Sequence, residues 1–460
     1  MDHQLAARFW QQFWHGLRSE ASPLPQIDLQ GQDAFCSAWP VSEFAVTSVA
    51  LAAQAAAALV NNPARPQLNV RLASRWFQQS FYPLNRPLPP AWDTFAGDYA
   101  AADGWIRLHT NARHHRQAME RVLGRHADRA ALAQRVSVWK KQALELAIIE
   151  AGGCAAEMRS LSAWQQHPQG RSVAQEPLIA WTSWAEAAPP AWPLHLIRPL
   201  NKVRVLDLTR IVAGPVATRF LAGLGAEVLR LDPPGWEEPA LEEELLLGKR
   251  SARLNLKSIA GRQQFERLLA QADVLVHGYR ADALEKLGYD SARFQQLAPG
   301  LIEVSLNAWG WSGPWRNRRG FDSLVQMACG IAEGGQRWRG TAAPQPLPVQ
   351  ALDHATGYLM AAAVLEGMRR RLARRTGCTA RLSLARTAHL LTAYPYPHPP
   401  GAAADEPGPA LPHDASDTLE LTSFGIGYRL KPPLWLPGTP LLWSRSGVPL
   451  GSASARWLTP

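Results

Sequence analysis

The chain has 460 residues, 47% of them apolar and 19% charged, and a net charge of +10. That length and balance describe a folded protein with a sizeable core and more than one domain, and they exclude a disordered chain. The positive charge suits a polyanionic small molecule better than nucleic acid, because no basic helix, aromatic ladder or zinc-finger spacing accompanies it.

The opening MDHQLAARFWQQFW lacks a basic region followed by an apolar core, so no secretory signal is expected. The longest apolar stretch, Ala45 to Val60, is alanine-rich, interrupted by Gln54, and reads as too short for a bilayer. Cys36, Cys154, Cys329 and Cys378 lie far apart, which argues against a metal site or disulfide framework and for a reducing cytoplasm. The segment PVSEFAVTSVALAAQAAAAL, from Pro40, echoes PVQALDHATGYLMAAAVLEG, from Pro348. Each runs into a predicted arginine-bearing strand, NVRLAS or TARLSL, and the echo reads as a duplication. Paired without a gap, Ala45 stands opposite Asp353, so the first copy would lack the acid. Helices are expected around 115–123 and 130–151, then a proline-rich linker at 189–199.

From residue 203 strands and helices alternate. VRVLDLT, EVLRLD, ARLNLK, DVLVHGY and LIEVSLNAW read as strands. Helices are expected in PVATRFLAGLGA, with Pro215 at its first position, and over 258–272 and 281–287. This rhythm gives an α/β fold, a doubly wound and mostly parallel sheet that binds ligands at the carboxyl ends of its strands. EGGQ at Glu333 reads as a turn. Asp353 reads as the N-cap of the helix HATGYLMAAAVLEGMRRRLARR. Arg369, Arg370, Arg371, Arg374 and Arg375 complement the dipole at that helix's end. The stretch 394–412 reads as a loop and the tail 419–460 as carrying little regular structure. The 19 tryptophans read as core and interface filling. The expected organisation is an N-terminal half over 1–190, a nucleotide-type domain over 200–392, and a proline-rich loop and tail over 393–460.

In order and with few gaps, VRVLDLTRIVAGPVATRFLAGLGAEVLRLD, GKRSARLNLK, ADVLVHGYR, IEVSLNAWGWSGP, GFDSLVQMACG and PVQALDHATGYLMAAAVLEG resemble the family III CoA-transferases. That group includes formyl-CoA and carnitine CoA-transferases and the α-methylacyl-CoA racemases. The resemblance implies a Rossmann-like large domain that binds CoA and a smaller α+β domain. GDYAAADGWIRLHTN and the residues through MRSLSAWQQHPQG resemble that small domain, here placed ahead of the large one. The implied substrates are an acyl-CoA and a carboxylic acid, with CoA as substrate and no resident cofactor or metal. No nucleic acid or membrane partner is expected. Family members are interlocked dimers, so a homodimer or a pseudo-dimeric monomer is expected.

The same resemblance implies that Asp353 is the nucleophile that attacks the acyl-CoA, and that Asp322 is a second acid lining the site. Phe321 stands where the racemase branch carries a histidine. A phenylalanine moves no proton, which favours a transferase over a racemase or epimerase. His354 reads as structural. Ile211, Val212 and Ala213 match the loop that meets CoA. Leu254 and Tyr279 match positions flanking its adenine, Lys286 a phosphate-binding base, and Arg319 a basic position on the pantetheine side. Pro233 departs from a basic residue, Gly278 departs from an asparagine, and the glycine run that closes over the intermediate in formyl-CoA transferase is missing. These departures leave a non-catalytic CoA-binding homologue as an alternative.

Overall fold

Short apolar runs bounded by polar turns build a seven-stranded sheet. The computed structural model describes residues 1–20, 27–31, 35–396 and 411–458. Across the sheet the strands run Lys249–Arg253, Glu227–Asp232, Arg204–Leu208, Val274–His277, Ile302–Asn307, Thr376–Ser383 and Ala180–Glu186. The first six are parallel and the last is antiparallel to its neighbour. This is the doubly wound α/β order expected, two strands stepping outward one way from Arg204–Leu208 and four the other, the last of them antiparallel. The order reverses between Arg204–Leu208 and Val274–His277. The loops that carry Ile211 and Tyr279 follow those two strands at their carboxyl ends, where sheets of this kind bind ligands.

Several sequence expectations need correction. The ARLNLK strand lies earlier, at Lys249–Arg253. The helix at 281–287 shrinks to one 3-10 turn, Glu285–Leu287, stopped by Gly288 at φ 88°. Pro215 is the third residue of its helix, which begins at Ala213. EGGQ is part of a helix, Ile331–Arg339. A Cβ on Gly335 there would come within 2.2 Å of the Gln345 carbonyl oxygen, so glycine permits the packing. The predicted helix at 130–151 is two helices, Arg129–Val136 and Lys141–Glu150. NVRLAS is mostly helical, within Val70–Gln78, whereas TARLSL is strand. Most of the loop at 394–412 lies outside the described residues. The tail carries strands Ala415–Thr422, Gly425–Leu430 and Leu434–Trp435, and the last two pair with Phe81–Pro83 and Gln67–Asn69.

The N-terminal half contributes two parts. One is a three-stranded antiparallel sheet, Gly97–Ala101, Gly104–Leu108 and Ala155–Glu157, with its own core of Tyr99, Ile106, Met119, Leu132, Leu144 and Ile148. The other is the helix Val41–Leu59, packed along the long helix Ala351–Arg374 in the main core. Val41–Leu59 has 19 residues and is apolar enough to cross a membrane, so the reading of this stretch as too short fails on length. Its burial, with 89% of its most apolar window inside the fold, makes it a core helix here.

The two echoing helices start alike. Pro40 and Gln350 are their N-caps, at φ −75°, ψ 66° and φ −75°, ψ 63°. In each, the first helical N–H bonds the carbonyl two residues back at 2.8 Å, Val41 to Trp39 and Ala351 to Val349. Each helix leads into a strand and then another helix, Val70–Gln78 or Leu384–Leu391. Aligned on their caps, the copies are offset by two residues from the ungapped pairing. Glu43, not Ala45, then stands where Asp353 stands. Glu43 is 1% exposed, and both its oxygens are held, by the Asp2 N–H at 2.6 Å and the Tyr396 hydroxyl at 2.8 Å.

The arginines after Gly367 do more than complement a dipole. Arg369 and Arg370 bond the buried Glu366 at 2.8 and 3.1 Å, joined by Arg18 at 3.1 Å. Arg371 bonds the Ala188 carbonyl.

Gly357 sets how closely the long helix meets Ala213–Gly223. A Cβ there would lie 2.4 Å from the Ala213 carbonyl oxygen and 2.8 Å from Val216 Cβ. Gly357→Val is expected to lower the unfolding free energy by about 1–3 kcal/mol, the usual cost of overpacking. Denaturant unfolding of the variant checks this.

Candidate active site

Asp353 is the third residue of Ala351–Arg374, inside its first turn rather than at the cap, and it is 7% exposed. Asp322 is the first residue of Asp322–Ala328 and is fully buried. The two acids meet: the Asp353 N–H donates to Asp322 Oδ2 at 2.9 Å. Asp322 Oδ1 accepts from Gln326 Nε2 at 2.5 Å, and Gln326 Oε1 accepts the Leu347 N–H at 2.7 Å. Gln326 was missed in the sequence, although its i+4 spacing from Asp322 on a helix was a legible signal.

The Ala213 N–H, at the start of its helix, donates to the Asp353 carboxylate. Gly357, one turn on from Asp353 and on the same face, makes that approach possible. Beneath it, the fully buried Lys249 bonds the Pro215 carbonyl at 2.9 Å and Asp207 at 3.2 Å. Asp207 also accepts from Thr218. Ala213 is thereby pinned from the sheet side. Gly320 serves the other acid. A Cβ there would lie 2.5 Å from both Ala308 Cβ and Trp309 Nε1, so the turn into Phe321 and Asp322 needs its bareness.

Burial raises the pKa of both acids. Asp322 rises from 3.8 to about 6, because desolvation outweighs the bonds from Gln326, Asp353 and Leu352. Asp353 rises well above the usual carboxylate value, through desolvation and then the Asp322 charge, against the Ala213 N–H. The corner therefore holds a proton more readily than either acid would alone.

The remaining candidate positions divide. Val212 and Ala213 are buried at the start of the helix that follows Arg204–Leu208. Ile211 beside them has φ 65°, and its N–H bonds Glu238 at 2.8 Å. Tyr279 lies in the loop after Val274–His277, and its hydroxyl accepts from Arg210 at 3.0 Å. Arg210, which the sequence reading missed, lies between the Trp236 and Tyr279 rings, 4.9 and 5.2 Å from their centroids. Leu254 packs with Tyr279 against the second core cluster. Lys286 projects into solvent and pairs with Asp282 at 2.5 Å. Arg319 is exposed and reaches the Gly152 carbonyl at 3.4 Å, toward the small antiparallel unit. His354 stacks on Phe77 at 4.9 Å, and burial pushes its pKa down to about 3. Its ring is part of the packing around Arg219 and Glu244.

Residues 200–418 match the family model for CoA-transferase family III. The chain is 31% identical over 254 residues to an acyl-CoA transferase of Gibberella moniliformis, covering 52% of this chain and 44% of that protein. It is 36% identical over 185 residues to a probable fatty acyl-CoA transferase of Mycobacterium tuberculosis, covering 37% and 46%. A crystal structure of that mycobacterial protein aligns with TM-score 0.40 at 32% identity, over 43% of this chain and 58% of the other. The matched part spans about half the length of these relatives, or less.

The raised acids have a stability consequence. Between pH 3.8 and about 6 the folded chain keeps a proton on Asp322 that the unfolded chain has lost. Stability is therefore fully present below that interval and falls as pH rises through it, and Asp353 adds in the same sense. Asp353→Asn removes the charge and keeps an acceptor for Ala213. It is expected to raise the melting temperature by a few degrees at pH about 7.5 and by less at pH about 4, read by calorimetry.

Proposed function

We propose that this chain, whose residues 200–418 match the family model for CoA-transferase family III, moves CoA from an acyl-CoA thioester to a free carboxylic acid, with Asp353 as nucleophile. The observation that carries this reading is the Asp353–Asp322–Ala213 corner, a buried carboxylate facing the N-terminus of the helix that follows Arg204–Leu208. A raised pKa makes Asp353 a stronger base and a better attacking group once ionised. The adjacent N–H favours the negative charge that develops during attack.

In this mechanism a carboxylate oxygen of Asp353 attacks the thioester carbonyl, the C–S bond breaks, and CoA thiolate leaves a mixed anhydride. The thiolate attacks the aspartyl carbonyl, expelling the donor acid and forming an aspartyl-CoA thioester. The acceptor carboxylate attacks that thioester, releasing thiolate and forming a second anhydride. Thiolate then attacks the acceptor's carbonyl, giving the new acyl-CoA and restoring Asp353. Holding the carboxylate against a bound thioester supplies much of the rate, up to about 7–11 kcal/mol for ideal alignment. Burial of both acids keeps water from the anhydrides.

Phe321 supports a transferase over a racemase, since it offers no proton-transfer group beside Asp322. Arg210, bonded to the Tyr279 hydroxyl, puts a basic group at the carboxyl ends of the strands that suits the CoA phosphates in place of the base lost at Pro233. CoA enters as a substrate, with no resident cofactor or metal in the reaction. The pairing of Val41–Leu59 with the long helix supports a pseudo-dimeric monomer with one site. The four free cysteines, three of them buried, suit a cytoplasmic enzyme.

Assayed with a panel of acyl-CoAs and carboxylic acids, the wild type should exchange CoA, and Asp353→Asn should lose on the order of 10³-fold or more in kcat. In deuterated buffer no label should enter the α-carbon of recovered acyl-CoA. Label that accumulates without transfer would support the racemase reading instead.

A further inference from the structure

Outside the family-matched segment, the N-terminal half sets two buried histidines against the residue that precedes Asp322. His109 follows the strand Gly104–Leu108, and His115 lies on the helix Arg113–Leu123. The His109 ring lies flat on Phe321, with centroids 3.9 Å apart and planes 13° apart. His115 meets the same ring edge-on at 5.7 Å and the His109 ring at 6.3 Å. His109 is 4% exposed and His115 3%. Each keeps a buried Nδ1 without a hydrogen-bond partner in the protein. Such atoms are rare in native folds and call for an occupant or a role.

Both rings are fixed in place. The His109 backbone N–H bonds the Cys154 carbonyl at 3.0 Å, and His115 Nε2 lies 3.5 Å from Cys154 Sγ. Burial pushes that thiol up to about 12, so it stays protonated. Burial, aided by neighbouring His and Arg charges, also keeps both imidazoles neutral, His115 down to about 3. A neutral ring nitrogen has no charge with which to draw in a carboxylate. It matches an uncharged polar group such as a hydroxyl or a ketone.

We propose that His109 and His115 determine acyl specificity: they wall the acyl pocket beside Asp322 and hydrogen-bond a hydroxyl or keto group on the acyl chain. This rests on the transferase reading and names the substrate class for the same site. A site built to bond a polar group rejects the analogue that lacks it, because its own buried atoms are then left unpaired.

The test uses the full chain, acetyl-CoA and succinyl-CoA as donors, and acceptor acids in pairs, each 2-, 3- or 4-hydroxy or keto acid beside its unsubstituted twin. The wild type is expected to prefer the polar member of at least one pair by roughly tenfold or more in kcat/KM. His109→Phe and His115→Phe keep an aromatic ring and remove the nitrogens. In one or both, the preference should fall toward one while the unsubstituted twin and the melting temperature hold. Preference for neither twin in any pair overturns the proposal, as does a preference that survives both substitutions. An equal loss for both twins also overturns it, since that marks packing alone. The wild-type ratio needs no variant, so misfolding of either variant does not shelter the proposal. A wild type that transfers CoA to none of the acids sinks the transferase reading and this one with it; transfer without the preference sinks this one alone.

Discussion

The structure turns on one costly contact, two carboxyl groups brought together in a dry corner. Water would solvate each acid well, and burial removes that solvation while placing each in the other's field. The Asp353 N–H, the Gln326 amide and the Ala213 N–H return only part of what is lost. The surrounding architecture makes the contact possible. Gly357 lets one helix start press against another, Gly320 lets the loop turn tightly into Asp322, and Lys249 holds the Pro215 carbonyl from below. A corner that opposes folding is the kind of strain that functional sites store.

The echoing helix Val41–Leu59 shows the same position put to another use. Glu43 and Asp353 occupy the third residue of helices whose caps have nearly the same dihedrals. Glu43 has both oxygens tied, by Asp2 at the start of the chain and by Tyr396. Asp353 faces another acid and a single helix-start N–H. No second nucleotide-type sheet stands before Glu43 among the described residues. Glu43 anchors the start of the N-terminal helix, and Asp353 carries the acid pair.

The sheet was largely legible in the sequence, because most of its parallel strands are rich in Val, Leu and Ile and the intervening helices repeat at 3.6 residues; Lys249–Arg253 reads KRSAR, and its place was misread. Asp322 and Asp353 were legible through their motif context; their contact was not, since 31 residues separate them. The echo was visible, yet its register was not. Alanine-rich helices align equally well two residues apart, and only the cap dihedrals favour Glu43 over Ala45. The tail strands were missed because they pair with Phe81–Pro83 and Gln67–Asn69, partners hundreds of residues away. A local reading sees in them only prolines and isolated leucines. His109 and His115 gave no signal, because nothing local places them on Phe321.

The central claim is that Asp353 becomes acylated. The direct measurement is peptide-mapped mass spectrometry of the chain mixed with a pool of acyl-CoAs and quenched with hydroxylamine, which captures activated carboxylates. The account expects a hydroxamate on the peptide containing Asp353, dependent on acyl-CoA. An unmodified Asp353 in a preparation that binds CoA and turns it over would contradict it.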